Sequence, residues 1–260
     1  MTEPGTGRLA VSDLTVAYGG ALAVDSLSLT VPAERIMGLI GPNGAGKTTT
    51  FNALSGLVTP RTGSIRLLGE DVSTLPPQAR ARRGLGRTFQ KMQLFDSLTV
   101  GENVALGHEA KKADSRPWRH VFASKADRIS QMEAAEAALE LCDLEPLAGE
   151  RVGALPTGER RRVELARVVA GEFTVLLLDE PSSGLDSSET QQFAAVLRQV
   201  VASGRSILLV EHDMALVMEI CHYLYVLDFG KLIFEGPPAA VLASPEVRDA
   251  YLGWAADEAS

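Results

Sequence analysis

One short segment constrains this chain more than any other part of it. Residues 41–48 read Gly-Pro-Asn-Gly-Ala-Gly-Lys-Thr, a complete match to the pattern G-x-x-x-x-G-K-[ST]. The apolar run Ile36–Ile40 before it is typical of a strand that helices cover on both faces. A strand, this glycine-rich turn and a helix after it together predict a phosphate-binding loop.

The residue types in this segment suit that chemistry. Glycines allow backbone N–H groups to curl around a phosphate, and the N-terminus of a helix adds partial positive charge. Lys47 can reach the outer phosphates, and Thr48 can ligate Mg²⁺. A glycine-rich turn of another kind would not need a lysine and a threonine at these two places, so we favour phosphate binding.

A pair of acids forms the second element of the predicted site. Residues 175–178 are Val-Leu-Leu-Leu, which indicates a buried strand, and Asp179 and Glu180 follow them. Ligands usually bind at the C-terminal ends of such strands. Asp179 would hold Mg²⁺ through water, and Glu180 would polarise the attacking water as general base. Alone, this would be an ordinary strand-end turn; after a complete phosphate loop it predicts a nucleotide hydrolase.

The hydrophobic pattern predicts an α/β fold. Apolar residues alternate over residues 9–31 around Gly19-Gly20, which indicates a half-exposed antiparallel hairpin. The apolar runs at 175–178 and 207–210 flank a segment with helical periodicity, which indicates a βαβ unit.

A helical insertion is expected in the middle of the chain, because the strand pattern disappears between Glu102 and Glu150. The apolar face of its main helix is predicted to carry Ile129, Met132, Ala135 and Leu139. We therefore expect a single domain over residues 1–260, with the insertion at about 91–170.

Composition argues against some other functions. The formal net charge of −8 disfavours a broad nucleic-acid-binding face, which requires clustered Lys and Arg. Cys142 and Cys221 lie far apart without metal-ligand spacing, so we expect both in the core of a protein from a reducing compartment. The first ten residues do not resemble a signal peptide, and the apolar runs are too short to span a membrane. These features predict a soluble, cytoplasmic chain.

In the order and spacing of its motifs, nearly the whole chain resembles the ATPase subunits of ATP-binding cassette (ABC) transporters. The resemblance implies a RecA-like P-loop core with an N-terminal antiparallel β subdomain and an inserted α-helical subdomain. It also implies ATP and Mg²⁺ as ligands. The implied ATP-binding residues are Tyr18, Gly41, Pro42, Asn43, Gly44, Ala45, Gly46, Lys47, Thr48 and Thr49, and the implied Mg²⁺ ligands are Thr48, Gln90 and Asp179.

Two of these residues take their roles from the resemblance alone. Tyr18 lies where the family places an aromatic ring against adenine, and Gln90 matches the glutamine that joins Mg²⁺ and water to the helical insertion. A strand tyrosine is otherwise usually a packing residue, and a lone glutamine is usually on the surface. Their positions relative to the phosphate loop carry the assignment.

Two segments after the acid pair also resemble family motifs. The loop Ser183, Gly184, Leu185 and Asp186 is similar to the one that contacts the second subunit, although Asp186 is equally suited to cap a helix. His212 follows the strand at 207–210 and resembles the histidine that senses the γ-phosphate. Because that strand ends toward the same crevice as Asp179, we favour this role over an ordinary strand-end histidine. The implied catalytic residues are Glu180, His212, Gln90 and Lys47.

The family signature is present in an altered form. It normally reads leucine, serine, two glycines and glutamine, and it would act on the ATP of the opposite subunit. Here Leu155 is followed by Pro156, Thr157, Gly158 and Glu159, so the serine hydroxyl is lost and the glutamine becomes an acid. The helix that begins near Gly158 can still direct N–H groups at a phosphate, and Thr157 could supply the hydroxyl.

Three arginines follow the signature, at residues 160–162. With Val163, Ala166 and Val169 facing inward on the same helix, we expect the arginines to form a solvated face without a catalytic role.

The resemblance implies partners, because the signature of one cassette closes over ATP held by another. A second ATPase subunit, identical or different, is therefore expected, together with transmembrane permease subunits. An importer would add an extracytoplasmic substrate-binding protein. These partners would hold the chain at the inner face of the cell membrane. We expect the helical insertion to contact the permease near Gln93, Leu94 and Phe95, which could equally be core residues.

The closest class within the family is suggested by two regions. The insertion that begins Gly101-Glu102-Asn103 and the C-terminal segment 236–253 resemble branched-chain amino acid importers, so those amino acids or related amides are candidate substrates. A lipopolysaccharide exporter ATPase would share every catalytic motif. A soluble cassette of translation or DNA repair would carry two cassettes or a long coiled-coil insertion, and this sequence has neither. A cassette that binds ATP without hydrolysing it is a further alternative, because of Pro156 and Glu159.

Overall fold

The computed structural model describes residues 7–88, 93–112 and 125–250. Its strands are β1 (Leu9–Tyr18), β2 (Ala21–Val31), β3 (Ile36–Ile40), β4 (Thr62–Leu67), β5 (Glu70–Asp71), β6 (Leu85–Arg87), β7 (Val175–Asp179), β8 (Ser206–Val210), β9 (Tyr223–Asp228) and β10 (Lys231–Gly236). Its α-helices are α1 (Lys47–Ser55), α2 (Pro77–Arg82), α3 (Val100–Lys112), α4 (Lys125–Leu141), α5 (Thr157–Ala170), α6 (Ser187–Ala202), α7 (Met214–Ile220) and α8 (Pro238–Ala243). The predicted α/β fold is confirmed.

Four strands form an antiparallel sheet in the order β2-β1-β4-β5. The β1–β2 hairpin runs from Leu9 opposite Val31 to Tyr18 opposite Ala21, so its turn is Gly19-Gly20, as predicted. Gly19 has a φ of 60°, in the left-handed region that glycine adopts without steric cost.

The remaining strands form a six-stranded sheet in the order β10-β9-β3-β8-β7-β6. Strand β3 lies in parallel between β8 and β9, and β7 lies in parallel beside β8. Every residue of β3, β7 and β8 is buried, as their continuous apolar runs predict. Asp179 is paired with Val210, so the segments that follow β7 and β8 are neighbours. The segment that follows β3 emerges at the same edge of the sheet, where ligands bind in open α/β folds.

Hydrophobic cores cover both faces of the parallel sheet. One core joins it to α1 and the antiparallel sheet, and the other joins it to the helices α5, α6 and α7. Tyr225 links the two sheets, because its hydroxyl donates to Thr30 O (2.9 Å) and accepts from the Thr30 N–H (3.0 Å). Burial raises the pKa of Tyr225 to about 12. The antiparallel sheet is thus held in a fixed position against the central strands.

The helices α3, α4 and α5 pack against one another, and here one prediction was partly wrong. Ala135 and Leu139 are buried as expected, whereas Ile129 and Met132 are 48% and 62% exposed. At about 100° per residue, Ile129 lies about 120° around α4 from Ala135, so the face that packs does not include it. Within the described ranges, no helix has both the length and the apolar character needed to cross a bilayer.

Candidate active site

The phosphate loop, residues 41–48, joins the end of β3 to the start of α1. Gly41 and Gly46 have φ angles of 149° and 99°, which residues with side chains rarely adopt. A Cβ atom on Gly41 would lie 2.1 Å from Leu227 O, and one on Gly46 would lie 2.5 Å from Ala23 O. Both positions therefore require glycine, for the backbone angle and for the lack of space.

Lys47 lies inside this loop. Its ammonium group donates hydrogen bonds to Gly41 O (2.6 Å) and Pro42 O (2.7 Å), and its side chain is buried. Burial lowers the pKa of Lys47, while the negative charges of Glu180 and Asp179 oppose that shift. The loop lysine is thus within electrostatic reach of both predicted acids.

The start of α1 is open to an anion. Gly46 occupies the N-cap position and supplies no side-chain hydrogen bond to the first turn. Thr48, Asn43 and Gly44 are exposed, and Thr49 is half-buried. Because the leading N–H groups of a helix attract negative charge, this end of α1 suits a phosphate group.

Asp179 ends β7 and is buried. Its carboxylate accepts a hydrogen bond from Arg87 Nη2 (3.1 Å), and its N–H donates to Thr88 Oγ1 (3.2 Å). Burial, followed by the charge of Glu180, raises the pKa of Asp179, whereas Arg87 and Lys47 oppose the rise. A further cation close to Asp179 would stabilise its ionised form, because burial leaves the negative charge poorly solvated.

Arg87 is a part of the site that sequence reasoning missed. It also donates to Asn52 Oδ1 (2.8 Å) and Ser55 Oγ (2.9 Å) of α1, and its guanidinium lies 5.6 Å from the centre of the Phe51 ring. It therefore joins the helix that follows the phosphate loop to the acid at the end of β7. The sequence feature that could have indicated this role is the position of Arg87, a cationic residue directly before the Thr-Phe-Gln segment that contains the predicted Mg²⁺ ligand Gln90.

Glu180 and His212 face each other across the ends of β7 and β8. Glu180 Oε1 and His212 Nε2 are 2.9 Å apart, and the two side chains are 21% and 37% exposed. The backbone of Glu180 has a φ of 49°, and its N–H donates to Val210 O (2.9 Å). A carboxylate and an imidazole in contact, both accessible to solvent, can position a water molecule and transfer its proton.

Two residues of the predicted ATP and Mg²⁺ sites remain, Tyr18 and Gln90. Tyr18 ends β1 and is 52% exposed, and the next strand approaches the phosphate loop at Ala23. Gln90 lies outside the described residues.

The altered signature lies at the N-terminus of α5. Pro156 is the N-cap residue, with an extended backbone, and it supplies no side-chain hydrogen bond to the N–H groups of the first turn. A Cβ on Gly158 would lie 2.5 Å from Glu189 Oε1, and one on Gly184 would lie 3.5 Å from Thr157 Cγ2. The signature thus packs against the loop at residues 183–186 and the start of α6.

Asp186 caps α6. Its carboxylate accepts a hydrogen bond from the Glu189 N–H (2.8 Å), and Glu189 Oε2 accepts from the Asp186 N–H (3.0 Å). This reciprocal capping box accounts for the aspartate structurally and fixes the end of the 183–186 loop.

The expectation of a solvated arginine face was wrong for Arg161. This residue is buried, and it donates to Ser183 O from Nε (3.2 Å) and Nη2 (3.1 Å). Its Nη1 also donates to the buried Glu164 (3.2 Å). Burial raises the pKa of Glu164, and Arg161 opposes that rise. By contrast, Arg160 pairs with the exposed Asp96. The sequence could not distinguish the two arginines, because only tertiary packing buries one of them.

A cavity of about 570 Å³ lies between the parallel-sheet part and the helical part. It is lined on one side by α2 and β6, and on the other by α3 and α5. Gln93, Leu94 and Phe95 all line it, and Phe95 is 54% exposed. Three charged residues, Arg87, Glu164 and Arg167, line it as well.

A glycine-rich loop, an acid pair and a histidine at one edge of a parallel sheet define a P-loop nucleotide hydrolase. Comparison with known families is more specific. The family model described as ABC transporter matches residues 24–183, and the model described as branched-chain amino acid ATP-binding cassette transporter matches residues 231–253. The chain belongs to the ABC transporter family, and it is an ATP-binding and ATP-hydrolysing subunit, as the motifs predicted.

Relatives cover nearly the whole chain. It is 39% identical to the high-affinity branched-chain amino acid transport ATP-binding protein BraF of Pseudomonas aeruginosa, over 94% of this chain and 97% of that protein. It is 38% identical to LivG of Escherichia coli, a protein of the same description, over 97% and 99%. Identity to the lipopolysaccharide export system ATP-binding protein LptB of Haemophilus influenzae is 35%, over 94% and 97%.

Solved structures agree with the fold. The ADP conformation of an ATP-binding cassette of an ABC transporter superposes with a TM-score of 0.84 at 26% identity, covering 95% of this chain and 98% of that one. A nucleotide-free ATP-binding cassette gives a TM-score of 0.83 at 26% identity, with coverage of 94% and 98%.

Proposed function

We propose that this chain drives an importer of branched-chain amino acids or related amides. The observation that carries the hydrolytic role is the contact between Glu180 and His212, next to Lys47 and Asp179. The substrate class is supported by the relatives, since identity is higher to the two branched-chain amino acid proteins than to the lipopolysaccharide protein. The match of residues 231–253 supports the same class.

Within this proposal, the phosphate loop and Lys47 bind the phosphates of ATP, and Tyr18 contacts the adenine. Thr48 and Asp179 would hold Mg²⁺ together with Gln90, because hydroxyl and carboxylate oxygens are the donors that Mg²⁺ prefers. The bound ion would neutralise charge on the phosphates. Glu180 acts as general base toward the attacking water, and His212 orients that water.

The proposed assembly contains two cassettes. Residues 1–260 form one nucleotide-binding domain with a helical insertion at about 91–170. The residues Pro156, Thr157, Gly158 and Glu159 act on ATP bound by the opposite subunit, through the N–H groups at the start of α5. The loop Ser183, Gly184, Leu185 and Asp186 lies against this signature and contacts the same partner.

The cavity beside Phe95 is the proposed surface for a transmembrane permease subunit. Its lining combines apolar side chains with Arg87, Glu164 and Arg167, which suits a short amphipathic segment. Such a subunit would hold the chain at the inner face of the membrane, with an extracytoplasmic binding protein selecting the substrate. Nucleic acid is not among the proposed partners.

The hydrolytic proposal is tested with Glu180→Gln. We expect the variant to bind MgATP, to lose steady-state hydrolysis and to accumulate as a dimer, because Gln cannot accept the proton of the attacking water. Glu235→Gln on the exposed side of β10 is the control and should hydrolyse ATP normally. Full turnover by Glu180→Gln would remove Glu180 as the base.

The wild-type protein assayed over a concentration series addresses the altered signature. Turnover that rises with protein concentration supports a homodimer that is sufficient for hydrolysis. Turnover that appears only when a second cassette or a permease is added supports an obligatory partner. ATP binding without turnover under all of these conditions would support the non-hydrolysing alternative.

The substrate class is tested in membrane vesicles that contain the co-purified permease. ATP-dependent uptake of labelled leucine, in the presence of its binding protein, supports the proposal. Extraction of lipopolysaccharide by the same complex would support the exporter alternative instead.

A further inference from the structure

Glu211, the acid directly before His212, is not among the residues assigned to ATP binding or hydrolysis above. Glu211 follows β8 directly and is buried, with 4% of its surface exposed. Its Oε1 atom accepts a hydrogen bond from the Ser182 N–H (2.7 Å). Its Oε2 atom accepts from the His212 N–H (3.0 Å) and, at the limit of hydrogen-bond distance, from the Asp213 N–H (3.5 Å). One carboxylate therefore holds two separate chain segments.

These segments carry the two side chains that meet in the active site. Ser182 is two residues after Glu180, and His212 is the residue after Glu211. The contact between Glu180 Oε1 and His212 Nε2, at 2.9 Å, closes a ring with the Ser182–Glu211 hydrogen bond. A shift of either segment therefore changes the contact between the base and the histidine.

The backbone of Glu180 needs such support. A φ of 49° is unfavourable for a residue with a side chain and persists only where the surroundings fix it. On one side, the Glu180 N–H donates to Val210 O (2.9 Å). On the other side, Glu211 fixes the N–H of Ser182. Hydrogen bonds to an ionised acceptor in a buried position are stronger than those between neutral groups.

We propose that Glu211 is a positioning residue for hydrolysis, which holds Glu180 and His212 in register. In the described part of the chain its carboxylate accepts from Ser182, His212 and Asp213, none of which belongs to the phosphate loop, so we expect Glu211 to act on turnover and not on ATP binding. The role rests on the proposed function of Glu180 as the base. This role predicts that a variant with a neutral or shorter side chain at position 211 still binds nucleotide, but with Glu180 and His212 misaligned.

The test is the pair of variants Glu211→Gln and Glu211→Asp, assayed with MgATP. Gln keeps the volume but presents an NH₂ group to the N–H of Ser182 or His212. Asp keeps the charge but is too short to reach both segments. We expect kcat to fall by about tenfold to a hundredfold in both, because small displacements of catalytic groups have effects of this size. We expect KM for ATP to change less than about twofold.

A second readout separates positioning from general loosening. The protein contains 4 histidines, so the ring resonance of His212 can be assigned by NMR with His212→Gln. Both Glu211 variants should move this resonance and leave the other histidines in place. Glu219→Gln is the control, because Glu219 is exposed on the neighbouring α7 and pairs with Arg198. It should change neither kcat nor the His212 resonance.

Three outcomes would overturn the inference. The first is full kcat in Glu211→Asp, which would show that the link to Ser182 is dispensable; this variant decides alone if Glu211→Gln does not fold. The second is an unchanged His212 resonance despite low kcat. The third is a rise in KM that matches the fall in kcat. The Glu180→Gln assay is independent of this test. Turnover by Glu180→Gln would contradict the role of Glu180 as general base. If Glu180→Gln is inactive but the Glu211 variants are fully active, only the positioning role of Glu211 is contradicted.

Discussion

The glycines of the phosphate loop differ in what surrounds them, although all have left-handed backbones. At Gly44, with a φ of 80°, a Cβ atom would meet no atom within 4 Å. At Gly41, the same atom would lie 2.1 Å from a backbone oxygen, Leu227 O, which cannot move without the end of β9. A side chain at Gly44 is therefore disfavoured by the backbone angle alone. A side chain at Gly41 is disfavoured both by the backbone angle and by the lack of space.

We therefore expect Gly44→Ala to lower the free energy of unfolding by about 1 kcal/mol and to retain nucleotide binding. Gly41→Ala should lower it by roughly 3 kcal/mol and abolish binding, because the loop must open to admit the methyl group. Urea unfolding and a fluorescent ATP analogue measure the two effects. Equal losses in the two variants would contradict this account.

Sequence patterns predicted the loop, Asp179, Glu180 and His212, which the structure brings close together, because fixed residue types at fixed places would carry the chemistry. They did not identify Arg87, Arg161 or Glu211. A charged residue is read from sequence as solvated, and its burial depends on segments far away in the chain. The buried guanidinium of Arg161, for instance, is explained only by the carbonyl of Ser183 and the acid of Glu164.

Among the elements, α5 is joined to the 183–186 loop by this buried pair. Removing one partner leaves an uncompensated buried charge. We expect Arg161→Met or Glu164→Met to lower the free energy of unfolding by about 3–5 kcal/mol each. The double variant should lose clearly less than the sum, since neither charge is then left alone.

The matched control is Arg160→Met, one residue earlier on the same helix. Its salt bridge with Asp96 is largely exposed, so a loss below about 1 kcal/mol is expected. Chemical denaturation of the four proteins is the measurement. Strictly additive losses at Arg161 and Glu164 would show that the two charges do not depend on each other.

Element type was predictable where a pattern is long. The β1–β2 hairpin and the βαβ unit were read correctly from their periodicity. Strands β5 and β6 are only two and three residues long, too short for a period to show. In α4, alanines form most of the packed face, so the larger Ile129 and Met132 misdirected the predicted face toward solvent.

For the molecule as a whole, the 2 cysteines report on opening of the fold. Burial raises the pKa of Cys142 and of Cys221 to about 12. At pH 8 the reactive thiolate is then roughly one part in ten thousand of the native population. We expect a disulfide reagent such as DTNB to label the native protein only slowly, and to label both thiols promptly in denaturant. Rapid native labelling of either thiol would contradict the buried positions.

The same shift makes stability depend on pH. Above the ordinary thiol pKa of 9.0, the unfolded chain loses these protons more readily than the folded one. The thiol contribution to the free energy of unfolding should therefore fall as pH rises from about 9 toward about 12. Replacing both cysteines with alanine should flatten this part of the pH profile, measured by denaturant titration.

The positive φ of Glu180 has a practical consequence for anyone improving this protein. Glycine suits that backbone better, by about 1 kcal/mol, and it carries no carboxylate. A library of variants selected for heat resistance alone would therefore enrich Glu180→Gly, which is expected to bind ATP but not to hydrolyse it. Robustness and turnover are opposed at this one position, so selection must include the transport cycle itself.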